Sequence, residues 1–79
     1  MKLELFKRDT CPFCQRVLKY IAETGRSDVI MRDTVQEPSN KEELIRIGGK
    51  DQVPCLMIDG QPLYESMDII QWLSDHPEN

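Results

Sequence analysis

Two thiols three positions apart, Cys11 and Cys14 in the stretch Thr10-Cys11-Pro12-Phe13-Cys14, are the side chains of this sequence best suited to chemistry. A thiol reacts as its thiolate, so a reactive cysteine needs surroundings that stabilise negative charge, and the positive end of a helix is one such place. An alternating segment precedes the stretch and a helical pattern follows it, which puts Cys11 at a helix entrance with Pro12 at the first helical position. Cys14 then falls one turn later on the same side, near enough for a Cys11–Cys14 disulfide. The stretch is a candidate redox switch. The competing readings are two buried small residues or half of a zinc site. Zinc would need two further ligands, and the remaining Cys and His are Cys55 and His76, with no second paired motif, so no metal is expected.

The elements that position these thiols follow from hydrophobic periodicity. From Lys2 to Lys7, Leu3 and Leu5 alternate with charged residues as in a strand, and Phe6 adds bulk near its end. Cys14, Val17, Leu18 and Ile21 keep the spacing of a buried helical face, and Gly25 supplies the stop. Asp28 to Asp33 encloses Val29-Ile30-Met31, a second strand expected to lie parallel to the first after the helical crossover. Glu37-Pro38-Ser39-Asn40 opens a second helix, with Ser39 and Glu42, or Asn40 and Glu43, as alternative capping boxes. Its apolar residues are Leu44, Ile45 and Ile47, and Gly48-Gly49 ends it. Cys55–Ile58 and Gln61–Tyr64 flank Asp59-Gly60 as a hairpin, and Pro62 marks the outer strand as a sheet edge. A last helix begins at Glu65-Ser66 with Ser66 as its expected cap, buries Ile69, Ile70 and Leu73, and closes at His76-Pro77.

Composition narrows the class. Seventy-nine residues suit one α/β domain over 1–79, near the lower limit for a core without disulfides or metals. An apolar share of 39% and a charged share of 30% are those of a soluble globular chain, without a membrane-length apolar run or a secretory leader. A reducing, cytoplasmic setting is the expectation, since an odd cysteine count with two so close makes a reactive pair more natural than a structural framework. The net charge of −4 is unevenly spread: residues 1–32 carry seven basic and four acidic side chains, residues 33–79 three and ten. Lys7, Arg8 and Arg16 flank the thiols, which allows a small anionic partner there, while the acidic total disfavours nucleic acid. A merely solvated surface would look the same.

With the β-α-β-α-β-β-α order and the Cys-x-x-Cys at the first strand-to-helix junction in place, the chain resembles the glutaredoxins, of the type related to the amino-terminal domain of glutathione S-transferases. The resemblance covers nearly the whole chain and rests on Cys11-Pro12-Phe13-Cys14, Val53-Pro54 and Tyr64-Glu65-Ser66-Met67-Asp68-Ile69-Ile70, in that order. It implies a thioredoxin-like fold, a four-stranded mixed sheet flanked by three helices, with glutathione bound beside Cys11. Pro54 would be cis and would bring the Val53 backbone alongside the cysteinyl part of glutathione. Glu65, Ser66 and the start of the last helix would hold the γ-glutamyl carboxylate, Asp68 its α-amino group, and Arg8 the glycyl carboxylate. Phe13 stands where tyrosine is common and would either wall the site or pack over the helix start. Cys55 has no role implied by the family and is expected to be a packed thiol turned away from Pro54. Trp72 is expected in the core and His76 in solvent.

The activity so implied is glutathione-dependent thiol–disulfide oxidoreduction, with Cys11 as nucleophile, Cys14 as resolving thiol and glutathione as cosubstrate rather than a tightly bound cofactor. The expected partners are glutathione and disulfide or glutathionylated proteins, with the chain acting as a monomer away from nucleic acid and membranes. Two alternatives are an iron–sulfur carrier that ligates a cluster through Cys11 and glutathione, which the stiff Pro12 disfavours, and a non-catalytic glutathione-binding module.

Overall fold

The period-two pattern around Leu3 and Leu5 marks the first strand, which pairs on both sides and is buried from Leu3 to Phe6. A computed structural model describes residues 1–78 and gives, in chain order, β1 (Leu3–Lys7), α1 (Pro12–Thr24), β2 (Val29–Asp33), α2 (Pro38–Gly48), β3 (Cys55–Ile58), β4 (Gln61–Tyr64) and α3 (Ser66–Asp75). The sheet order is β2-β1-β3-β4. β1 runs parallel to β2, with Leu5 opposite Met31, and antiparallel to β3, with Leu5 opposite Leu56. β3 and β4 form an antiparallel hairpin. This is the thioredoxin-like architecture that the sequence implies, with Pro62 on the outermost strand, where its missing N–H leaves no ladder bond unmade.

Alternation splits the core into two layers. Leu3, Leu5 and Leu56 point to one face of the sheet and meet Val17 and Ile21 of α1 and Ile69 and Leu73 of α3. Phe6, Cys55 and Met57 point to the other and meet Leu44 of α2. Cys55 thus lies in a different layer from α1 and its thiols, turned away as the strand period requires. Val17, Leu5, Leu56 and Ile69 are fully buried. In α2 only Leu44 among the apolar residues is fully buried, and Ile45 is exposed.

Two turns set element ends. Gly25 closes α1 at φ 69°, and its N–H reaches back to Ala22 O. Asp59 and Gly60 both adopt positive φ, 50° and 84°, the left-handed pair that matches a hairpin to the right-handed twist of its strands. Two caps differ from expectation. The second helix begins at Pro38, capped by the backbone of Glu37 rather than by Ser39 or Asn40, because proline's fixed φ suits the first helical position and pulls the start forward. Asn40 instead faces inward, where its amide donates to Asp33 O at 3.0 Å and its oxygen accepts from Arg32. In α3 the cap position is Glu65 at φ 72°, so Ser66 is already the first helical residue and makes no capping bond. Among the described residues, no helix is long and apolar enough to cross a membrane.

Candidate active site

The thiols sit where β1 hands over to α1. Arg8, Asp9 and Thr10 make a tight turn, closed by the Cys11 N–H donating to Arg8 O at 3.3 Å. Cys11 is extended at φ −87°, ψ 119°, and caps the helix that Pro12 opens. Its Sγ therefore stands before the unpaired N–H groups of the first turn, where the helix end favours negative charge. Cys11 keeps 8% of its surface exposed, whereas Cys14 has none.

The two thiols differ in acidity for physical reasons. Burial works against ionisation of Cys11, but the backbone N–H and thiol of Cys14, the N–H of Phe13 and the Arg8 charge outweigh it, so its pKa lies below the ordinary 9.0. Burial pushes Cys14 up to about 11, and the neighbouring Cys11 adds to the rise, while the Arg8 backbone N–H opposes it. Cys11 is thus the more acidic and the more exposed of the two thiols. Cys55 is also raised, mainly by burial.

Across from Cys11 lies the loop before β3. The Val53-Pro54 peptide bond is cis, and the Val53 carbonyl faces the Cys11 thiol at 4.0 Å. Beside them Phe13, Gln52, Val53, Pro54, Glu65 and Ser66 line a pocket of about 240 Å³. The side of this pocket formed by α3 presents a helix start: Ile69 N–H makes the first helical bond, to Glu65 O at 3.0 Å, so the N–H groups of Ser66, Met67 and Asp68 have no helical acceptor. Ser66 is buried, and the backbone of Glu65 is held in the left-handed region that non-glycine residues rarely adopt.

Five of the residues singled out from sequence, Phe13, Val53, Pro54, Glu65 and Ser66, therefore surround one cavity next to Cys11. Phe13 lines this pocket, is 55% exposed and carries the Arg16 guanidinium 5.6 Å over its ring. Arg8 lines a second, smaller pocket of about 110 Å³ with Asp9, Thr10, Asp33, Val35 and Gln36. Asp68 lies exposed in the first turn of α3 and lines neither. Gln52 and Gln36 were missed; Gln52 directly precedes Val53-Pro54, whereas nothing local to Gln36 marks it. Trp72 packs on the α1/α3 layer and stacks on the exposed His76 ring at 4.1 Å, at the opposite end of α3 from Ser66. Among the described residues, no three His, Cys, Asp or Glu side chains are grouped to share a metal ion.

Comparison with known proteins agrees with this fold. Structurally the chain is similar to glutathione transferase Omega 3C from Trametes versicolor, with a TM-score of 0.78 at 24% identity over 95% of this chain and 33% of the transferase. It is also similar to the holo form of glutaredoxin C1 from Populus tremula x tremuloides, at 0.70 and 17% identity over 95% and 76%, and to the thioredoxin-like protein BC3987, at 0.75 and 19% over 91% and 99%. The chain thus spans about a third of that transferase's length. No curated protein matches it at the level of sequence. The family model for the glutathione S-transferase N-terminal domain matches residues 10–76, which include both thiols, the cis-proline loop and all of α3. On that match the chain belongs to the glutathione S-transferase N-terminal domain family.

Proposed function

We propose that the protein is a glutathione-dependent thiol–disulfide oxidoreductase that works through Cys11. The observation that carries this reading is the pocket itself: a thiol of lowered pKa faces the Val53 carbonyl at the rim of a cavity whose far wall is the open start of α3. A glutathionyl group in that cavity would present its cysteinyl backbone to Val53 and its γ-glutamyl carboxylate to Ser66 and the free N–H groups. Phe13 would cover its apolar side. Arg8, in the adjoining pocket, supplies a cation for the glycyl carboxylate, and Asp68 lies in the first turn of α3 near enough to the helix start to take the α-amino group.

The chemistry is two successive exchanges. The Cys11 thiolate attacks the glutathione sulfur of a mixed disulfide, a Cys11–glutathione bond forms, and the substrate sulfur leaves and takes a proton. The thiolate of a second glutathione then attacks the bound glutathione sulfur, releasing Cys11 as thiolate and one molecule of oxidised glutathione. Two glutathione thiols supply the two electrons that reduce the substrate. Cys14 offers a second exit, attack on the Cys11 sulfur to expel glutathione and close a disulfide, but Cys14 has no exposed surface and burial opposes its ionisation, which slows that step. The one-thiol route is therefore the main one.

Turnover of a small glutathione mixed disulfide tests this. Cys11→Ser is expected to abolish it and Cys14→Ser to retain most of it. Full activity in Cys11→Ser would overturn the assignment. Binding of glutathione without turnover in the unaltered protein would make the chain a binding module.

A further inference from the structure

The turn that bears Arg8 and leads into Cys11 is held from both sides at Asp9. The Lys7 ammonium donates to the Asp9 carboxylate at 2.7 Å and to the Asp33 carboxylate at 3.1 Å. On the other side of the turn, the Gln15 side-chain amide donates to the Asp9 carbonyl and so ties the turn to the second turn of α1. Asp33 is itself fixed, because its other oxygen accepts the N–H groups of Val35 at 2.8 Å and Gln36 at 2.7 Å. Lys7 thus spans the two loops, 8–10 and 33–36, that form the walls of the Arg8 pocket.

Lys7 is not an ordinary surface cation. Its side chain keeps only 14% of its surface, as does that of Asp33. An ammonium so enclosed needs both acceptors, and two carboxylates this close need the ammonium. The backbone reinforces the contact, since Lys7 O accepts the Thr34 N–H at 2.9 Å. Hydrogen bonding to Asp9, and then to Asp33, holds the Lys7 pKa above its usual value against the opposing effect of burial.

We propose that Lys7 is a positioning residue of the thiol site, a cationic strut that joins the two walls of the Arg8 pocket and, with Gln15, holds in place the turn whose Arg8 O accepts the Cys11 N–H. The strut touches neither the thiol nor the glutathionyl group; it acts through the turn. Loss of the strut frees the 8–10 turn, so that the Arg8 charge no longer acts on the thiolate at short range. The groups that bear on Cys11 are then reduced to the Cys14 thiol and the N–H groups of the first turn of α1. The inference rests on Cys11 as the reacting thiol, and it concerns how that thiol's electrostatic surroundings are kept.

Alkylation of Cys11, read peptide by peptide by mass spectrometry, tests the strut without glutathione. The ratio of rates with iodoacetate, an anion, to iodoacetamide, a neutral reagent, reports a cation held beside the sulfur whatever the thiolate fraction. Arg8→Gln sets the ratio without that cation. Lys7→Met combined with Asp9→Asn breaks the strut at constant local charge, and Gln15→Leu loosens the turn with no change of charge. Both are expected to lower the ratio at least about twofold toward the Arg8→Gln value, and Lys7→Arg to restore most of it. A ratio that stays at the unaltered protein's value in Gln15→Leu and in any folded form of the double variant would overturn the strut. A Cys11 that is unreactive in the unaltered protein would instead overturn the function proposed above.

Discussion

At neutral pH, Cys11 is expected to be alkylated at least about tenfold faster than Cys14, and the ratio can be worked from their surroundings. Cys14 is held up at about 11, while Cys11 lies below 9.0. A separation of two pH units makes the Cys11 thiolate about 100-fold more abundant. The thiolate of the weaker acid is intrinsically the better nucleophile; a slope of about 0.4–0.5, as in thiol–disulfide exchange, returns about tenfold to Cys14. Ionisation wins, and burial widens the margin, since Cys14 has no exposed surface and Cys11 keeps 8%. The assay is timed iodoacetamide labelling at pH 7 with each cysteine peptide quantified separately. Raising the pH toward 11 is expected to narrow the ratio as Cys14 ionises. Equal rates at pH 7, or Cys14 reacting first, would refute the division into attacking and resolving thiols.

Other consequences concern the scaffold. Tyr64 donates its hydroxyl to Gly48 O at 3.0 Å and occupies the space that a side chain at Gly48 would need. Gly48→Ala is therefore expected to destabilise the protein, yet to become stabilising by up to about 1 kcal/mol once Tyr64→Phe removes the hydroxyl, because alanine is the better helix former; urea titration of the four proteins checks this. Leu56→Ala, in the centre of the α1/α3 layer, is expected to cost about 2–5 kcal/mol in the same assay. Cys14 has a raised pKa, so its contribution to stability is intact below about pH 9 and falls as pH rises toward about 11, on the order of 2 kcal/mol, and Cys14→Ala is expected to flatten that alkaline limb of the melting temperature. Asp33 is lowered by the Gln36 and Val35 N–H groups and by Lys7, against burial, so its contribution is present above 3.8 and lost as pH falls through the depressed value. Asp33→Asn is expected to shrink the acid limb of the same curve.

The parts of the fold that depend on short-range pattern were legible in the sequence. Period two in Leu3 and Leu5, the helical spacing of Cys14, Val17 and Ile21, and the Asp59-Gly60 turn each specify an element locally, and the element order follows. The caps were less legible because two local signals competed. At Pro38 the proline's preference for the first helical position prevailed over the hydroxyl and amide of the next two residues. At Glu65 a left-handed backbone that no side chain type there advertises moved the cap one residue forward and freed Ser66 to face the pocket.

The site was legible as a set of motifs, but not as two pockets. Phe13, Val53, Pro54, Glu65 and Ser66 converge because the strand order brings the β3 entrance and the start of α3 to the end of β1. Arg8 falls in a neighbouring cavity, and its partners there, Asp33 and Gln36, lie more than twenty positions along the chain. The Lys7 contact to Asp33 and the Tyr64 contact to Gly48 likewise join residues far apart in the chain. They depend on side-chain reach between elements, which hydrophobic period does not encode.

Treatment of the reduced protein with oxidised glutathione, followed by intact and peptide mass spectrometry, tests the assignment of Cys11 most directly. In a Cys14→Ser background, where no internal disulfide can discharge it, one glutathionyl group is expected on Cys11 and none on Cys55. No adduct, or an adduct that persists when Cys11 is also replaced by serine, would contradict it.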